Sequence, residues 1–175
     1  MQDILIVVDM QNDFVDGSLG TPEAQRIVDH VVEKIMHFEG RVLFTQDTHE
    51  SDYLETQEGV RLPVEHCIRG TKGWELVPAI EALLMPESQV IEKPTFGSSE
   101  LVGLLERLNE EEPIRSITLA GLCTDICVIS NALLIKAYFP EIPIAVDATC
   151  CAGVTVESHR RALDAMRVCQ IDILE

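Results

Sequence analysis

The feature that most constrains the fold is an alternation of two residue patterns. Short runs rich in β-branched residues recur at Asp3–Val8, Arg41–Thr45, Gln89–Ile91, Ser116–Ala120, Ile144–Val146 and Ile171–Leu174, each with the length and composition of a buried strand. Between them lie stretches with helical spacing: Ala24, Ile27, Val28, Val31, Val32, Ile35 and Met36; then Leu101, Leu104, Leu105 and Leu108; then Val156, Leu163 and Met166. Nearly continuous apolar strands alternating with amphipathic helices predict a six-stranded parallel sheet covered on both faces, a three-layer α/β/α Rossmann-like domain. In such a sheet the ligand crevice opens at the carboxyl ends of the strands, so the residues just past each strand are the ones to inspect for chemistry.

A chain of 175 residues is about one domain long and buries a sizeable core without disulfides, so residues 1–175 read as a single unit. Its 13 basic against 30 acidic residues leave a net charge of -17, which would repel nucleic acid and anionic membranes and leaves a small molecule as the expected ligand. The longest apolar runs, such as Ile4–Val8, end within a few residues, and no basic-then-apolar leader opens the sequence; a soluble, cytoplasmic protein is expected. In that setting the six cysteines, at 67, 123, 127, 150, 151 and 169, are expected to be thiols, and their spacing is not that of a zinc finger.

Three strand ends deliver polar residues to the predicted crevice. Asp9 follows the first strand, Lys93 follows the third, and Cys127 lies just past the fourth at the start of the next helix. A thiol in the first turn of a helix feels the positive end of the macrodipole, and a neighbouring ammonium favours the thiolate further. A carboxylate beside it accepts the thiol proton and later protonates a departing amine, as nucleophilic acyl transfer requires. Asp13, Asp16 and Asp125 lie close in sequence to these positions, and spacing alone does not choose among the carboxylates.

The segment at about 47–74 breaks the alternation. Loops of this length inside a compact domain are uncommon unless they form a lid or a binding site. It opens on Asp47 and His49, whose two-residue spacing points both side chains the same way in extended backbone, and it contains Glu55, Glu58 and His66. Imidazole and carboxylate without thiolate suit Zn²⁺, Mn²⁺ or Fe²⁺ in an open site; a hydrogen-bonded polar loop fits the spacing equally well. His30, His37 and His159 sit at helix positions compatible with a solvated face, and the apolar stretch from Asn131 to Phe139 reads as helical core.

Four separated motifs then stand in register: Ile6-Val7-Val8-Asp9-Met10-Gln11-Asn12-Asp13-Phe14, Thr45-Gln46-Asp47-Thr48-His49, Glu92-Lys93-Pro94 and Gly121-Leu122-Cys123-Thr124-Asp125-Ile126-Cys127-Val128. Together they resemble the isochorismatase-like cysteine hydrolases, nicotinamidases above all. The resemblance implies Asp9 as catalytic acid and base, Lys93 as its charged partner and Cys127 as nucleophile. It further implies a non-proline cis peptide at Cys123–Thr124, an oxyanion hole made by the backbone N–H groups of Cys123 and Cys127, metal ligands at Asp47, His49 and His66, and Phe14 packing on the substrate ring. Where many members carry a further histidine this chain offers Asp52, Glu55 and Glu58, of which Glu58 is taken as the fourth ligand. The tryptophan that members usually place just before the matched His66 is missing, and the only one here is Trp74.

The implied activity is hydrolysis of a small amide, nicotinamide first, to a carboxylate and ammonia through a thioester. The implied cofactor is a divalent metal, zinc before manganese or iron, and the implied assembly is a homo-oligomer. A related hydrolase of carbamoyl or ureido compounds and, more distantly, a non-catalytic redox or binding module are the alternatives. Isochorismate hydrolysis is disfavoured because enzymes of that specificity generally lack the nucleophilic cysteine.

Overall fold

Every residue of the first strand from Ile4 to Val8 is buried, and the sheet is built outward from it. In the computed structural model, which describes residues 1–175, the chain runs from β1 (Gln2–Val8) to β2 (Arg41–Asp47) and β3 (Gln89–Lys93). It then crosses to the other side of β1 for β4 (Ile114–Leu122), β5 (Ile144–Ala152) and β6 (Asp172–Leu174). The six strands form one parallel sheet in the order β3-β2-β1-β4-β5-β6. All six predicted runs are strands, and the winding direction reverses between β1 and β4, which puts the crevice beside their carboxyl ends.

Alternation along β1 feeds two cores. Ile4, Ile6 and Val8 join Leu101, Leu105, Val128, Ile135 and Leu163 on one face, while Leu5 and Val7 join Ala24, Ile27, Val31 and Ile80 on the other. The helices on these faces are α1 (Asn12–Val15), α2 (Pro22–His37), α3 (Gln57–Arg61), α4 (Pro78–Glu81), α5 (Ser99–Glu111), α6 (Ile129–Tyr138) and α7 (Val156–Val168). The three long amphipathic ones start at side-chain caps: Thr21 accepts from Ala24 N, Ser98 from Leu101 N and Thr155 from Ser158 N, each satisfying an N–H that the first turn leaves unpaired. No helix is long and apolar enough to cross a membrane.

The irregular segment after β2 holds only a 3₁₀ turn at Tyr53–Glu55 and the five-residue α3. Its start and its later part are joined by a parallel bridge between His49, two residues past β2, and Ile68. Cys150 and Cys151 are free thiols that pack into opposite cores.

β1 meets β4 at Val8 and Gly121, where Gly121 has a φ of +116° and a Cβ would stand 2.1 Å from the Val8 carbonyl oxygen. No side chain fits there, and the next residue along the chain from Val8 is Asp9. Gly121→Ala is therefore expected to destabilise the fold by about 3 kcal/mol, lowering Tm by about 10 °C; a thermal melt within a degree of the parent would contradict this.

Candidate active site and metal centre

Strand ends position the central group. Lys93 is the last residue of β3 and pairs in register with Asp47, the last of β2; both point into the crevice. The Lys93 ammonium is fully buried and stands 2.6 Å from Asp9 Oδ2, 3.1 Å from Asp47 Oδ1, 3.3 Å from Cys127 Sγ and 3.2 Å from the Thr95 carbonyl oxygen. The contact with Asp9 is an ion pair without hydrogen-bond alignment, since Asp9 Oδ2 has no aligned donor. The other carboxylate oxygen, Oδ1, accepts a 2.7 Å hydrogen bond from Thr45. Burial works against the Lys93 charge, but Asp9, Cys127 and Asp47 outweigh it and hold the ammonium well above its ordinary pKa.

Cys127 lies in a π-type turn, Thr124–Val128, that runs directly into α6. Its thiol is pushed well above the usual range, first by burial and then by the Asp9 carboxylate, against the pull of Lys93. Desolvation and the facing carboxylate outweigh the one ammonium, so the thiol keeps its proton until a base takes it. Asp9 is itself raised, by burial ahead of the opposing Lys93 charge, so it holds a proton more readily than an exposed aspartate. Proton transfer from thiol to carboxyl is then less uphill.

The cis peptide falls at Leu122–Cys123, one bond earlier than expected. Leu122 still pairs with Ala152 in the sheet, whereas the Cys123 carbonyl already accepts from the N–H groups of Ile126 and Val128. The Cys123–Thr124 bond thus belongs to the turn, and the chain changes direction where it leaves the strand. The Cys123 N–H donates to no group of the protein.

Asp13 and Asp125, two of the three other carboxylates near these positions, have partners elsewhere. Asp13 Oδ2 accepts from Cys67 N at 2.8 Å, and Asp125 accepts from Val154 N. The backbone of Cys67 is left-handed, at φ 48°.

Beside the triad, Asp47, His49 and His66 bring one ligand-type atom each to within 4.8 Å of one another, an arrangement compatible with a divalent metal ion. Asp47 Oδ2 is 3.1 Å from His49 Nε2 and 3.8 Å from His66 Nε2, and Glu58 Oε1 completes the ring at 3.6 and 3.7 Å from the same two nitrogens. Two observations bear on whether these residues suit a metal. His49 Nε2 is buried without a hydrogen-bond partner, a costly state unless something ligates it. His66 donates its Nδ1–H to the Val64 carbonyl at 2.8 Å, which leaves Nε2 as a free lone pair aimed at the group, the usual outer-shell device for a ligating histidine. Both observations fit a bound cation.

Several supporting residues carry no local sequence signature of their role. Gln11 clamps the Asp47 backbone, donating to its carbonyl at 2.8 Å and accepting from its N–H at 2.7 Å. Fully buried Tyr53 packs against His49 and His66 with ring centroids 4.7 and 5.0 Å away, its hydroxyl pushed up to about 12 by burial and by Glu58 and Asp47. His159, expected on a solvated face, is half-buried with Nδ1 2.7 Å from Thr124 Oγ1 in the turn that carries Cys127. Gln11 at least stands inside the first motif, two residues past Asp9; Tyr53 and His159 meet their partners only through the tertiary fold.

Asp47, His49, Glu58, His66, Cys123 and Cys127 line a cleft of about 760 Å³ whose apolar walls include Phe14, Leu62, Phe96, Ile126 and Val154. Phe14 also lies 5.6 Å from the His66 ring. Trp74 is not in the cleft; its indole N–H donates to Thr48 Oγ1 at 2.9 Å, and the aromatic wall comes from Phe14 and Phe96 instead.

The isochorismatase domain matches residues 3–174 of this sequence. The chain belongs to the isochorismatase family. It is 31% identical over 175 residues, spanning 93% of each chain, to the isochorismatase family protein PncA of Bacillus subtilis. The crystal structure of nicotinamidase/pyrazinamidase PncA from Bacillus subtilis superposes with a TM-score of 0.84 at 30% identity over 100% of both chains. The pyrazinamidase of Pyrococcus horikoshii in complex with zinc gives 0.81 at 27% identity, covering 100% of this chain and 99% of that one.

The His159 imidazole carries a pH prediction. Burial lowers its pKa below 6.5 against the pull of Asp125, so in the window below pH 6.5 the unfolded chain takes up the proton first and stability falls as pH drops. The stability advantage of the parent over His159→Asn should shrink on acidification from about pH 8 to about pH 5 in urea titrations, a range that brackets the ordinary histidine pKa. An advantage that stays constant or grows would contradict a neutral, Thr124-bound His159.

Proposed function

We propose that this chain hydrolyses nicotinamide to nicotinate and ammonia through a thioester on Cys127. The observation that carries the reading is the single buried ammonium of Lys93 that joins the Cys127 sulfur, Asp9 and Asp47 within 3.3 Å, with Cys127 and Asp47 lining a cleft that has apolar, partly aromatic walls.

Asp9 takes the thiol proton as sulfur attacks the amide carbon. The developing oxyanion meets the N–H groups of Cys123 and Cys127, donors that need no reorganisation when the charge appears. As the tetrahedral adduct collapses, Asp9 returns the proton to the amide nitrogen and ammonia leaves, with the acyl group on sulfur. A water entering the vacated position gives a proton to Asp9 while its oxygen attacks the thioester carbon. As this second adduct collapses, Asp9 passes that proton to the departing sulfur, and the acid leaves as carboxylate, its remaining proton going to solvent or to the released ammonia. Lys93 keeps its charge throughout and stabilises each anionic form of its two partners. Asp47, His49, His66 and Glu58 would hold a divalent ion, zinc first with manganese or iron as alternatives, supplying an electrophile for the lone pair of the pyridine nitrogen. Phe14 and Phe96 would flank the ring.

The apolar walls favour a flat heteroaromatic amide over a carbamoyl or ureido compound, whose polar groups would find few partners there. A sensor thiol is disfavoured by the burial of Cys127 and its high pKa, since oxidation-sensitive cysteines are exposed and readily ionised.

Purified protein should release ammonia from nicotinamide, with Cys127→Ala and Asp9→Asn each reducing kcat by about a thousandfold or more. Turnover by Cys127→Ala at the parent rate would overturn the mechanism. A chelator that strips a bound divalent ion should weaken nicotinamide binding, and Asp47→Ala or His66→Ala should prevent reloading as read by metal analysis. Equal metal content in these variants would remove the four residues from the site.

A further inference from the structure

Asn131 lies four residues past Cys127 near the start of α6 and is completely buried. Its carboxamide is fully engaged. Nδ2 donates to the carbonyl oxygens of Cys127 at 2.8 Å and Phe96 at 3.1 Å, and Oδ1 accepts from Ser98 N at 2.9 Å. An apolar residue would fill this helical core position at less desolvation cost, so a buried amide here implies that its three bonds are needed.

What those bonds hold is the connection from β3 to α5. Residues Pro94 to Gly97 make no backbone–backbone hydrogen bond. Two further bonds, from Lys93 Nζ to Thr95 O and from Thr95 Oγ1 to Gly97 O, stay within the connection and the strand end that feeds it. Asn131 therefore supplies the hydrogen bonds that tie this connection to the helix of the nucleophile. Three residues of the tied connection, Pro94, Thr95 and Phe96, line the cleft, and Thr95 also gives its carbonyl to the Lys93 ammonium.

The geometry points to Asn131 as a positioning residue that sets the Phe96 wall of the cleft against Cys127, and with it the amide that can be seated there. This rests on the cleft being the amide site. Asn131 touches neither substrate nor the reacting atoms; it acts through Phe96 and the Cys127 backbone. A carboxylate at this position would turn two N–H donors into an oxygen facing two carbonyl oxygens.

The test uses Asn131→Ser, Asn131→Asp and Phe96→Ala in the full chain, each checked for native circular dichroism. With nicotinamide, Asn131→Ser is expected to raise KM about tenfold, and Asn131→Asp more. In the Phe96→Ala background, Asn131→Ser should raise KM far less, because the wall it positions is already gone. Parent KM and kcat in Asn131→Ser, or KM effects of the two substitutions that multiply, would overturn the proposal; if Asn131→Asp does not fold, the Asn131→Ser pair carries the same decision. A readout independent of activity is the Ser98 amide, whose only acceptor is Asn131: its hydrogen exchange, followed by NMR, should accelerate in Asn131→Ser. Unchanged exchange overturns the role of Asn131. Accelerated exchange in a protein whose parent does not hydrolyse nicotinamide overturns the substrate reading and leaves the tether standing.

Discussion

The rest of the site depends on one buried cation. The Lys93 ammonium has no contact with solvent, and such a charge is tolerated only where partners replace the water it loses. Asp9, Asp47, Cys127 and the Thr95 carbonyl do so, and each arrives from a different element: the end of β1, the end of β2, the turn after β4 and the connection after β3. A parallel sheet whose winding reverses between β1 and β4 is what brings these ends to one point. Removing either carboxylate takes away one of the two counter-charges of the buried ammonium, so the geometry of the triad and the stability of this end of the sheet are one problem.

Asp47 links the two halves of the site. One carboxylate oxygen faces Lys93 and the other faces His49 and His66. Burial opposes its ionisation, but the His49 contact and the Lys93 charge together hold its carboxyl below the usual range. A cation beside the histidines and the ammonium beside the thiol would therefore compete for the same carboxylate. Gln11 fixes the Asp47 backbone from both sides, which lets the side chain serve both neighbours without the strand end moving.

The sequence was most legible where chemistry and periodicity coincide. Asp9, Lys93 and Cys127 stand at or just beyond the ends of β-branched runs, so recognising strands was enough to bring them together, and Asp47 and His49 shared a side by simple alternation. Glu58, the fourth ligand that the family resemblance implies, stands within reach of both histidine nitrogens. Three things were not legible. The resting state of the thiol depends on how much burial and how near a carboxylate the fold supplies, which no local pattern encodes. The cis bond was displaced by one residue because the limit of β4 is set by pairing with Ala152. Asn131 and His159 looked like core and surface because their partners, Phe96 and Ser98 in one case and Thr124 in the other, are distant in sequence and meet them only in the folded chain.

The central claim is that carbon–sulfur bond formation at Cys127 precedes release of the acid. Rapid acid quench of the enzyme with nicotinamide, followed by intact mass and peptide mapping, tests it most directly. A nicotinoyl thioester confined to the peptide carrying Cys127, forming and decaying at rates that account for turnover, is the predicted result. Turnover with no acyl adduct at any quench time, or an adduct on any of the other cysteines, would contradict it.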